Sequence, residues 1–161
     1  TIGKQSIRVL NSFMDAAFIP FNNTLFTTWK ETAYISEINS NTYTVMSDVA
    51  GSSKFVEGAR VVKYGIATGR TIGTILNTDY SVIFGYDVYY DLFKYSNNTR
   101  EGDSGGPVVL NTGLPNAGNY LAGISTFGTS DPDNNPFGSG FRAYNVEKKL
   151  GVTLLTNTSM P

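Results

Sequence analysis

The segment most able to do chemistry is REGDSGGPVVL, Arg100 to Leu110, where a serine is framed by glycines and follows an acid. As bare composition it is an acidic, glycine-rich turn entering an apolar strand. The full run Gly102-Asp103-Ser104-Gly105-Gly106-Pro107 is rarer than that account allows, arising by chance about once in tens of millions of sites at ordinary residue frequencies. A serine becomes a useful nucleophile when a base removes its proton, most often an imidazole. The chain has no histidine, so it cannot supply that base itself. It has no cysteine either, which excludes a disulfide, a thiolate nucleophile and cysteine-held zinc or iron–sulfur. Aspartates and glutamates are scattered, and the stretch Asp131 to Asn135 lacks a calcium-loop pattern, so no metal or other cofactor is expected.

The elements that must carry Ser104 read as strands. About ten short segments rich in Val, Ile, Tyr, Phe and Thr are separated by Gly, Asn, Asp or Pro, among them SIRVL, DAAFIPF, TAYISEI, NTYTVM, ARVVKYG, TIGTIL, SVIFGYDVYYDLF, GPVVL, NYLAGISTFG and VTLL. This spacing predicts an all-β barrel or sandwich. One stretch, Tyr144 to Leu150, reads as helical and is closed by Gly151. Residues 128–140 read as the longest loop, and VAGSSKF marks a boundary near residues 50–54. At 161 residues, with 12 basic and 13 acidic side chains, the chain has the length of one domain and no charge bias toward nucleic acid. No apolar run is long enough to span a membrane, and TIGKQSIRVL lacks the basic head and apolar core of a signal peptide.

The Gly102–Pro107 run resembles the nucleophile loop of the chymotrypsin-like (trypsin-like) serine peptidases, closest to their bacterial-type branch. The resemblance implies a double β-barrel, with residues 1–50 the later part of the first barrel. Residues 51–161 would be the complete second barrel, ending in a short helix and a final strand. It implies that Ser104 attacks the scissile carbonyl and that the amides of Gly102 and Ser104 hold the oxyanion. Asp103 would be a buried structural anion. The segment Gly58 to Ile75 resembles the first hairpin of the second barrel, in which a basic residue pairs with that anion; Lys63 holds the position. Val62 and Ile72 stand where many relatives have a bridging cysteine pair.

Leu121 to Ser130 resembles the strand lining the substrate cleft, with Thr126, Phe127 and Gly128 as one wall of the primary pocket. Asn98 and Thr99 would belong to the opposite wall, and Arg142, if inward, would favour an acidic side chain. NSFMDAAFIPF, Asn11 to Phe21, resembles the family's catalytic aspartate segment, which makes Asp15 the residue that orients the imidazole.

In the family the histidine precedes that aspartate, in a part of the first barrel not represented in these residues. Three explanations stand: a precursor cut into two chains, the other bearing the histidine and docking as a heterodimer; a relative that lost its imidazole and binds peptide or protein uncut; or a structural or interaction domain whose oxyanion loop is incidental. The first makes the chain part of a processed serine endopeptidase acting on peptide or protein, with neither nucleic acid nor membrane as partner. Sequons at Asn22, Asn97 and Asn157 lean toward a secreted glycoprotein.

Overall fold

The computed structural model describes residues 7–18, 34–36, 43–111, 118–130 and 134–154. The described chain begins with an antiparallel hairpin, β1 (Ile7–Asn11) and β2 (Met14–Phe18), in register Leu10 with Asp15. A second pair follows, β3 (Tyr34–Ser36) with β4 (Tyr43–Val45). After β5 (Asp48–Val49) and a 3-10 turn at Ser52–Lys54 come six strands: β6 (Arg60–Gly65), β7 (Gly69–Phe84), β8 (Asp87–Tyr95), β9 (Pro107–Asn111), β10 (Asn119–Ser130) and β11 (Pro136–Arg142). They pair in the order β11-β8-β7-β6-β9-β10, and β10 pairs back onto β11. The result is a closed, all-β antiparallel ring. Strand β5 joins it from outside, parallel to β10.

Strand alternation explains how one ring builds three cores. Val61, Phe93, Tyr95, Val108 and Leu110 point inward and pack with Phe55, Ile75 and Ala122. Their outward neighbours Val62, Tyr64 and Val109 join Met46, with Ile35 packed against them. A third cluster of Met14, Leu92, Phe141, Val146 and Leu150 links the first hairpin, the ring and the helix α1 (Ala143–Leu150). Tyr90 N donates to Ser12 O at 2.7 Å, fastening the hairpin turn to β8. The helix ends where Gly151 takes φ 64°, and its amide donates to Glu147 O.

Three expectations are corrected. The segments TIGTIL and SVIFGYDVYYDLF are not one strand each; β7 runs from the first through to Phe84, the chain turns at Gly85, whose φ is +65°, and the rest of the second segment is β8. Register shifts near Asn77 and Tyr80 absorb the polar interruption that looked like a break. Nor are residues 128–140 a long loop, because β10 continues to Ser130 and β11 starts at Pro136. Glycine serves close packing there: a Cβ on Gly140 would lie 2.4 Å from Ile124 O. Finally, residues 152–154 form no closing strand. The amides of Val152 and Leu154 bond instead to Glu147, through its carbonyl and its carboxylate. The rest of that expected strand lies outside the described residues.

Candidate active site

Strands β8 and β9 are joined by the segment 96–106, and the ring holds this segment through a buried carboxylate. Asp103 and Lys63 are both 0% exposed, with Lys63 Nζ 2.7 Å from Asp103 Oδ2. Lys63 reaches inward from β6. The turn between β6 and β7 supplies further donors to Asp103: the amides of Ala67 and Thr68, each at 3.0 Å, and the Thr68 hydroxyl at 2.7 Å. Arg100 N adds a bond at 3.1 Å. Burial opposes ionisation of Asp103, but the bonds from Lys63, Thr68 and the Arg100 amide outweigh it and hold the carboxyl well below the usual carboxylate range.

This anchoring shapes the turn around Ser104. Gly102 takes φ +96°, a conformation unfavourable to any residue with a Cβ. The amides of Asp103, Gly105 and Gly106 are spent on Arg100 O, Ser125 O and Asp103 O. Those of Gly102 and Ser104, flanking Asp103, have no partner among the described residues. Ser104 is exposed, and its hydroxyl donates to Thr126 O at 2.9 Å. An exposed hydroxyl beside two unspent amides is an arrangement suited to acyl transfer, in which the amides stabilise a developing oxyanion.

Sequence reasoning missed Thr68 and Gly65. A Cβ on Gly65 would lie 2.1 Å from Asp103 Oδ1, so only glycine leaves room for the carboxylate. The signal was present as the glycine-bracketed turn GIATG directly after Lys63-Tyr64.

The expected pocket residues are only partly brought together. Thr99 is 7% exposed and wedged between two strands, since a Cβ on Gly128 would lie 2.6 Å from Thr99 Cγ2 and one on Gly138 2.5 Å from Thr99 Oγ1. Below it the Tyr95 hydroxyl donates to Ser125 Oγ at 2.8 Å, and burial pushes that phenol well up. Phe127 turns to Phe84 and Tyr89, with ring centroids 5.6 and 5.0 Å away. Asn98 is exposed. Arg142 is corrected: its guanidinium bonds to Asp91 Oδ1 and Thr78 O and stands over the Phe55 ring, so it is committed away from a pocket.

Asn97 is also corrected as a glycan acceptor. It is 0% exposed, and its amide nitrogen donates to Thr71 O at 2.7 Å. Asn22 and Asn157 lie outside the described residues. Asp15 stands on β2 opposite Leu10, directly after the buried Met14; its side-chain surroundings lie outside the described residues. Among the described residues no cluster of three or more acidic groups could hold a metal ion, and no helix is long and apolar enough to cross a membrane.

Beside Ser104 opens a cleft of about 270 Å³, lined by Ile35, Tyr64, Ile66, Arg70, Gly102 and Pro107 among others.

A family model described as Trypsin matches residues 36–148. No curated protein matches the sequence. Among solved structures, the chymotrypsin of Cellulomonas bogoriensis is similar with a TM-score of 0.77 at 16% identity, over 96% of this chain and 76% of that one. Protease A of Thermobifida fusca aligns with a TM-score of 0.77 at 17% identity, over 96% and 75%. The Nocardiopsis protease aligns with a TM-score of 0.73 at 21% identity, over 92% and 71%.

Proposed function

The chain belongs to the trypsin family, and from that premise we propose that it is a serine endopeptidase chain whose catalytic histidine lies on a second polypeptide of the same precursor. The observation that carries the reading is the exposed Ser104 hydroxyl on a turn whose Gly102 and Ser104 amides are unspent among the described residues and which Lys63 and Asp103 brace. The second polypeptide is invoked because these residues include no histidine.

In the assembled enzyme the imidazole takes the Ser104 proton as Oγ bonds to the scissile carbonyl carbon. The carbonyl electrons move onto oxygen, and the two amides donate hydrogen bonds to the oxyanion that forms. Collapse breaks the C–N bond, and the imidazolium gives its proton to the departing amine. Water then repeats the sequence on the acyl ester, returning Ser104. Asp15 fixes the imidazole tautomer. The substrate is peptide or protein, and the site of action is outside the cell.

The test is labelling of the native particle with a fluorophosphonate, read by peptide mass spectrometry, beside intact-mass analysis. Label on Ser104, lost in Ser104→Ala, together with a co-purifying histidine-bearing polypeptide, supports the reading. An unlabelled particle that still binds peptide identifies a binding module that has lost its chemistry.

A further inference from the structure

Ser104 is held from two sides. Lys63 and Asp103 brace its turn from β6, and β10 holds the other flank. There Ser125 brackets the nucleophile with two backbone bonds, accepting from Gly105 N and donating to Gly106 O, each at 2.8 Å. The residue after it falls out of step. On β11, Gly140 pairs with Ser125 and Ser139 with Phe127, so Thr126 is one residue more than the facing strand can match. The ladder bulges at that point, and the Thr126 carbonyl accepts the Ser104 hydroxyl. Backbone pairing alone fixes the place of an extra residue weakly, because register can slip by one. A side chain fastened beside it fixes the place firmly. Ser125 is fastened: its buried Oγ accepts from the Tyr95 hydroxyl at 2.8 Å. Tyr95 stands on β8, two strands from β10, and its ring passes against Gly138 of β11, where a Cβ would lie 2.4 Å from Tyr95 Cε2.

We propose that Tyr95 is a positioning residue for the reaction: through Ser125 its hydroxyl fixes the bulge at Thr126, and with it the direction in which Ser104 Oγ points. The assignment rests on the peptidase reading. Tyr95 acts only through Ser125, from the fully buried side of the sheet. An apolar pair would fill the same interior with no polar group to satisfy, whereas a hydroxyl pair adds a direction and a length to the contact. That bond is what the bulge needs, since its neighbours on either side are held by backbone pairing alone.

The experiment compares the native particle with Tyr95→Phe and with the double variant Tyr95→Phe/Ser125→Ala, each assayed at a temperature where it is folded. Tyr95→Phe leaves the buried Ser125 hydroxyl without its donor and should lower the unfolding temperature. The double variant removes both partners and should regain most of that loss. Turnover should not follow stability. With the bulge untethered in both variants, kcat for a peptide that the native particle cleaves should fall about ten- to a hundredfold, the scale of a misplaced reacting group. KM should change little, and kcat should stay low in the double variant although its stability has returned. A kcat restored in the double variant, a kcat unmoved in both, or a loss carried by KM instead overturns the positioning role alone. Fluorophosphonate labelling of the unsubstituted particle separates the two levels: failure to label Ser104 removes the peptidase reading and the assignment with it.

Discussion

Asp103 accepts hydrogen bonds from five groups, but one of them, Lys63, is the cation that makes its burial tolerable. Lys63→Met leaves an uncompensated charge in the interior and should cost about 3–5 kcal/mol, measured by urea unfolding. The acid limb follows from the same group. Its folded pKa is depressed, so its contribution is complete above the unfolded carboxylate value of about 3.9 and drains away as pH falls below it. Asp103→Asn should therefore be less stable at neutral pH and show a shallower loss of stability below about pH 4, where protonation of Asp103 no longer adds to it. At this scale the nucleophile turn was legible, because six consecutive residue types are rare in combination. The Arg142 side chain was not. Its direction depends on Asp91, 51 positions away and itself at φ 59°, a partner that no local pattern discloses.

Among the elements, the first hairpin contacts the helix. Met14 is fully buried between β8 and the helix, one position before Asp15. Met14→Ala should cost about 2–5 kcal/mol in chemical denaturation and accelerate amide exchange in β1 and β2 more than in β9. Strands were readable from alternation wherever one face met a core. Their ends were harder. The long β7 looked interrupted because Asn77, Thr78 and Asp79 are turn formers, but register shifts let the ladder continue past them. Glycines at 138 and 140 were read as loop punctuation when their role is to let two backbones and Tyr95 come close. The helix was legible because it is amphipathic and ends on a glycine.

For the molecule as a whole, the all-β class was evident in composition, while the ring order β11-β8-β7-β6-β9-β10 was not, since its two pairings between non-consecutive strands, β11 with β8 and β6 with β9, leave no periodic signal. The ring shuts between β10 and β11, where a Cβ on Gly123 would lie 2.0 Å from Phe141 O. Gly123→Ala should thus destabilise by about 1–3 kcal/mol and lower the calorimetric unfolding temperature. The position of β9 has a further consequence, for the order of assembly. It sits between β6 and β10, so the turn it trails from cannot settle until both neighbours are in position. The Asp103 anchor waits for β6, and the Gly105 and Ser104 contacts wait for β10. A nascent or half-opened chain would thus carry Ser104 as an ordinary serine, and its reactivity would arrive late, as a property of the finished ring.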